Sequence, residues 1–149
     1  MTSMRMRAVN GIQVGDQFRV TRTFTEQDVI DFAQTSRDDN PVHFEDRFAA
    51  IKNFRGRICH GLLVGSLLTE IGGQLAMLAS GMNFRFKRPV YFGDTITCTL
   101  VIDEMDQTGR VKCSATFSNQ CGETVIEGQL FGVLPNEKER ELLQKSQDE

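Results

Sequence analysis

The sequence has no basic excess, no long apolar run and no paired-cysteine motif, and each absence closes off a class of function. Seventeen Lys and Arg stand against 20 Asp and Glu, a formal charge of −3. Nucleic-acid binding usually leaves a basic footprint, so no nucleic acid is expected as a partner. Nothing approaches the roughly 18 consecutive apolar residues that span a bilayer, so no membrane partner is expected either. Met1 to Asn10 carries arginines with no apolar h-region after them, which argues against a secretory signal. Cys59, Cys98, Cys113 and Cys121 form no C-x-x-C pair. Reduced thiols in a cytoplasmic protein are the expectation, and a zinc site is not. Repeats, low-complexity runs and linkers are also missing. The chain therefore reads as one domain over residues 1–149, with a core over about 15–135 and a charged tail over 136–149. A chain of 149 residues buries roughly 68–70% of its unfolded surface, so one core suffices without metals or disulfides.

What is present divides into helical and strand-like periods. Gln17 to Phe24 alternates apolar and polar residues, as a half-buried strand does. Thr25 suits a helix N-cap, with Glu26 and Asp28 at the positive end of the dipole and Val29, Ile30 and Phe32 beginning an apolar face. That helix should fade near Thr35–Arg37, because Asn40 precedes Pro41 and is biased away from the α region. A second short helix is expected over Phe44 to Ile51. From His60 to Ser80, Leu62, Leu63, Leu67, Leu68, Ile71, Leu75 and Leu78 make a helix apolar around much of its circumference, which marks it as buried. It contains Gly65, Gly72 and Gly73, each costing roughly 1 kcal/mol relative to alanine, so close packing of other backbone against it is expected. Strands are expected at Met82–Val90, Thr95–Met105, Arg110–Asn119 and Thr124–Leu134, with turns at Gln107-Thr108-Gly109 and Gln120-Cys121-Gly122. An antiparallel sheet wrapped around one long helix, the α+β hot-dog architecture, satisfies this order. The tail from Asn136 reads as a frayed surface helix.

Only two histidines occur, His43 and His60. Asp38 lies five residues before His43 across a proline-containing loop, where a carboxylate and an imidazole can converge on one water and exchange protons near neutral pH. The plainer alternative is that Asp38, Asp39 and Asn40 only turn the chain. His60-Gly61 stands at the head of the buried helix, whose first amides have no intrahelical acceptor. A glycine there lets a carbonyl approach the backbone, and the helix dipole favours negative charge on it. The plainer alternative is that Gly61 relieves crowding at the helix start.

Asp38-x-Asn40-Pro41-x-His43 followed by Ile58-Cys59-His60-Gly61-Leu62 resembles the signature of the MaoC-like, (R)-specific enoyl-CoA hydratases of the hydratase 2 type. Phe24 to Val29 and Phe86 to Asp94 extend the resemblance, which covers roughly residues 15 to 135. It implies a hot-dog fold, usually dimeric, with an acyl chain entering beside the central helix. It implies Asp38 and His43 as catalytic residues, the Gly61 amide as oxyanion contact, Asn40 as a support of the site, and Ser66 as a hydrogen-bonding residue near the acid. Ser36-Arg37 departs from the Thr-Gly common before the aspartate, which puts the loop shape in doubt. Gly65 beside Ser66 suggests a wider acyl region.

The implied reaction is reversible hydration of trans-2-enoyl thioesters to (R)-3-hydroxyacyl thioesters. Coenzyme A or acyl carrier protein would be part of the substrate, with no metal and no separate cofactor. Arg55, Arg57, Lys87 and Arg88 are candidate phosphate contacts, though surface solvation is the commoner fate of such residues. Three rival readings remain open. One is a 3-hydroxyacyl-ACP dehydratase of fatty acid synthesis; in other hot-dog dehydratases a helix glutamate partners the histidine, and here that position is Ser66. Another is a thioesterase using Glu70, and the last is a non-catalytic acyl-thioester binding subunit, which would not need an ionisable pair.

Overall fold

The computed structural model describes residues 2–149. In chain order the elements are α1 (Ser3–Asn10), β1 (Gln17–Thr23), α2 (Glu26–Ser36), a 3₁₀ turn (Pro41–His43), α3 (Asp46–Ile51), α4 (Gly61–Gln74), β2 (Leu78–Phe86), β3 (Thr95–Met105), β4 (Arg110–Ser118), β5 (Thr124–Val133) and α5 (Glu137–Asp148). The five strands form one antiparallel sheet in the order β1-β3-β4-β5-β2. It curls around α4, which touches β1, β3 and β2, and this is the expected hot-dog arrangement.

The alternation explains why the sheet buries one face. Ile96, Cys98, Leu100 and Ile102 of β3 and Val111, Cys113, Ala115 and Phe117 of β4 all point inward. They meet Val64, Leu67, Leu68 and Ile71 of α4 in a single core. The outward positions instead form polar cross-strand pairs, such as Thr21 with Thr97 and Thr23 with Thr95. Burial pushes the thiols of Cys59, Cys98 and Cys113 up to about 12, so these cysteines act as small apolar residues. No described helix is long and apolar enough to cross a membrane.

Several boundaries differ from the sequence expectations. The central helix ends at Gln74 rather than Ser80, because Ala76 turns left-handed (φ 53°) and the amides of Ala76 and Met77 fold back on Gly73 and Gly72. Leu78, counted among the helix's apolar residues, is 77% exposed and opens β2 opposite Val133. The strand expected over Met82–Val90 therefore runs earlier, from Leu78 to Phe86; past it, the amides of Lys87 and Arg88 converge on the Val125 carbonyl and Pro89 has no amide for the ladder. The short helix begins at Asp46 rather than Phe44, after the 3₁₀ turn. Nor does backbone pack on the helix glycines. A Cβ at Gly65 would stand 3.2 Å from the Phe84 ring, whereas Gly72 and Gly73 face open space. Phe84 thus fills the room that Gly65 was expected to leave for an acyl chain.

The two terminal helices pack against each other. Asn136 caps α5 through the Glu139 amide. Thr2 caps α1, a helix that no apolar period announces.

Candidate active site

The loop after α2 is built by local hydrogen bonds that leave one carboxylate oxygen free. Thr25 caps α2 in a reciprocal pair with Asp28, and the helix ends on Arg37 in the left-handed conformation (φ 60°). The Ser36 hydroxyl then accepts from the Asp38 amide at 3.1 Å. Asp38 Oδ1 accepts from the Asn40 amide at 3.2 Å, and Asn40 Oδ1 from the Val42 amide at 3.1 Å. Pro41 starts the 3₁₀ turn that carries His43 inward. Oδ1 of Asp38 therefore shapes the loop, as the turn-forming reading expects, while Oδ2 faces His43 Nε2 at 3.9 Å.

His43 is 6% exposed. Its Nδ1–H donates to the Ile58 carbonyl at 2.7 Å, since a carbonyl can only accept, and this leaves Nε2 as a lone pair toward Asp38. Burial lowers its pKa below the ordinary imidazole value; the Ile58 carbonyl opposes the shift, His60 adds to it and Asp38 opposes it.

His60 is more deeply buried, at 1% exposure. Its ring lies on that of His43 with centroids 3.8 Å apart, and Phe32 of α2 covers it at 4.8 Å. Its Nε2–H donates to the backbone carbonyl of Asp38 at 2.9 Å, while Nδ1 has no hydrogen-bond partner among the described residues. His60 is also the N-cap residue of α4, yet its side chain accepts from none of the helix amides. The adjoining Gly61 packs under Phe86, whose ring atoms lie 2.5–2.9 Å from where a Cβ would be. With the Phe86 ring where it stands, a side chain at 61 would collide with it, so glycine lets ring and helix start lie this close.

Asp38, His43, His60 and Gly61 open on one cavity of about 700 Å³, with Val64, Phe86 and Ile126 among its apolar walls. Lys87 and Arg88 also line it, although each is paired, Lys87 with Glu127 and Arg88 with Glu123. The other two candidate cations do not reach it. Arg57 is held by Glu26 and Asp46 over the Phe92 ring, and Arg55 lies over the Tyr91 ring at 3.9 Å. Ser66, one turn beyond Leu62, is exposed and does not line the cavity, and its hydroxyl donates to the Leu63 carbonyl of its own helix at 2.6 Å. In this chain it is not a partner of Asp38. Glu70 is exposed and does not line the cavity.

Ligand-type atoms of Asp38, His43 and His60 lie within 4.8 Å of one another. The imidazoles are nearly face to face, with 30° between their planes.

Comparison with known proteins follows the same lines. The family model described as "MaoC like domain" matches residues 9–121. A mitochondrial 3-hydroxyacyl-[acyl-carrier-protein] dehydratase of Arabidopsis thaliana is 32% identical over 93% of this chain and 85% of its own length. An (R)-specific enoyl-CoA hydratase of Rhodospirillum rubrum is 33% identical over 83% of this chain and 89% of its own. Among solved structures, the unliganded R-hydratase PhaJ1 of Pseudomonas aeruginosa superposes with a TM-score of 0.79 at 31% identity, covering 86% of this chain and 85% of that one.

Proposed function

This chain belongs to the MaoC-like domain family, and we propose that it acts there as a hydro-lyase, reversibly hydrating trans-2-enoyl thioesters to (R)-3-hydroxyacyl thioesters with Asp38 and His43 as its catalytic pair. The observation that carries this is the 3.9 Å gap between Asp38 Oδ2 and His43 Nε2, beside the head of a buried helix. Both atoms are acceptors, so neither satisfies the other, and a water can donate one hydrogen to each. Legs of about 2.8 Å put the two acceptors of one water about 4–4.5 Å apart, close to the gap found. The water's lone pair then faces C3 of the substrate.

In the forward direction the water oxygen bonds to C3 as His43 takes one of its protons. The electron pair of the double bond moves toward the thioester oxygen, and a proton returns to C2 with Asp38 orienting the exchange. The Gly61 amide and the α4 dipole meet the oxygen on which charge develops. Asn40 supports this geometry through its bond to the Val42 amide. No step calls for a metal, flavin or nicotinamide.

Coenzyme A is the proposed carrier, with Lys87 and Arg88 as the cations nearest the cavity for its phosphates. The Arabidopsis relative favours a second reading, dehydration of 3-hydroxyacyl groups on acyl carrier protein by the same site. A homodimer belongs to the proposal as well. β2 is an outer strand of the sheet, and Leu78, Met82 and Phe86 on it are exposed, as is Leu62 of α4. A cytoplasmic setting suits three buried free thiols.

The experiment is incubation of the purified protein with crotonyl-CoA and with 3-hydroxybutyryl thioesters of CoA and acyl carrier protein. Enoyl and (R)-3-hydroxyacyl products are expected, and the carrier turned over faster separates the first two readings. Release of free thiol would instead mean a thioesterase, and tight binding without turnover a binding subunit. An (S)-alcohol product would contradict the assignment.

A further inference from the structure

We infer that His60 is a positioning residue for this reaction, holding the Asp38 loop through its backbone and the His43 ring through its face so that the catalytic gap is kept. This role presupposes the reading of Asp38 and His43 as the catalytic pair.

Three contacts converge on the one buried ring. Its Nε2–H reaches the Asp38 carbonyl at 2.9 Å, 22 residues away in sequence. Its face lies on the His43 imidazole at 3.8 Å, and the Phe32 ring of α2 packs on it at 4.8 Å. His60 thereby joins α2, the 3₁₀ turn and the first residue of α4, which are the elements that carry the proposed site. Nothing within the loop bonds the Asp38 carbonyl; the local bonds there use the Asp38 amide and Oδ1.

The residue type is informative as well. Helix starts favour Ser, Thr, Asp or Asn, whose oxygens bond the first amides. Such an oxygen at position 60 would bond the Leu62 or Leu63 amide and place a second acceptor beside the Gly61 amide proposed to meet the substrate. A phenylalanine would fill the slot and stack, but would give the Asp38 carbonyl no donor. Histidine does neither, and in doing so it keeps a buried Nδ1 without a partner, a feature that native interiors seldom retain without reason.

Two substitutions separate the contacts. His60→Phe keeps a stacked ring and removes the donor. His60→Gln removes the ring and keeps an N–H at the reach of Nε2. Each is assayed for crotonyl-CoA hydration and thermal unfolding beside Asp38→Asn and His43→Gln. His60→Phe is expected to lower kcat about 10–100-fold with KM within about twofold, since loss of orientation acts on the chemical step. His60→Gln is expected to recover several-fold of that loss. Should His60→Phe fail to fold, His60→Leu, which offers neither a donor for the Asp38 carbonyl nor a cap oxygen, replaces it against His60→Gln with the same split expected. A wild-type kcat in His60→Phe, or equal rates in the paired variants, overturns the positioning role. Wild-type rates in Asp38→Asn and His43→Gln would overturn the parent reading, and this role with it.

Discussion

The two ends of α4 are treated in opposite ways. At its C-terminal end the last carbonyls are covered from outside the helix: Arg5 of α1 donates from Nε to the Gln74 carbonyl at 2.7 Å and from Nη2 to the Gly73 carbonyl at 3.0 Å. The Thr2 hydroxyl adds a bond to the Gln74 side chain. The helix has no basic residue in its own last turn, so Arg5 supplies the positive charge that the negative end of the dipole favours. At the N-terminal end the capping position is occupied by a histidine that makes no cap bond, and the first residue is a glycine facing a cavity. One end is closed, and the other opens on the cavity in which the proposed function places the substrate. An unsatisfied helix terminus is informative where the same helix shows that the fold can cover one.

The largest test of this contrast is Gly61→Ala. The new methyl would enter the Phe86 ring, so helix start and ring must part. The Gly61 amide remains but is displaced from its place over the cavity, so we expect hydration to fall about 10²–10³-fold, as much as when an oxyanion donor is removed. Phe86→Ala in the same chain should restore part of it by making room, and steady-state rates for both variants check this. Next is Arg5→Ala, which removes the cover from the other end. Its two bonds are charge-assisted but partly exposed, so a loss of about 1–2 kcal/mol in unfolding free energy with kcat nearly unchanged is expected from denaturant titration. Gly73→Ala makes the same chemical change as Gly61→Ala at the covered end, where nothing lies within 4 Å of the new methyl. A gain of about 0.5–1 kcal/mol is expected, from helix propensity alone.

The smallest effect is in pH. Because burial lowers the pKa of His43, its Nε2 keeps the basic form below the ordinary value of about 6.5. The acid limb of kcat/KM should therefore lie under that value, with rate lost as pH falls through the lowered pKa. The same shift makes stability fall as pH drops below about 6.5, where the unfolded chain gains a proton that the folded one resists. A pH–rate profile and unfolding midpoints at several pH values check both signs.

What the sequence disclosed was local. Asp38, Asn40 and His43 lie within six residues, so their loop was legible from Pro41 and the turn-forming side chains. The Thr25 cap and the alternation of β4 were legible for the same reason. The end of α4 was not, because Leu75, Met77 and Leu78 are apolar whether they continue a helix or start a strand, and Ala76 gives no sign of a left-handed turn. Ser66 carried a suggestive hydroxyl, but its own helix takes it up. Contacts between distant segments were out of reach: Arg57 needed Glu26, Arg5 needed Gln74 some 69 residues on, and His60 needed the Asp38 carbonyl. The residues of the candidate pair and their local support at Asn40 were readable, and the groups from distant segments that hold them in place were not.

The most direct measurement of the central claim is the rate of crotonyl-CoA hydration by Asp38→Asn, by His43→Gln and by the double variant, each shown to be folded. If both side chains hold one water, each single change costs on the order of 10²–10⁴ in rate and the double variant is little worse than the poorer single one. Wild-type rates in either single variant, or losses that simply multiply in the double, would contradict it.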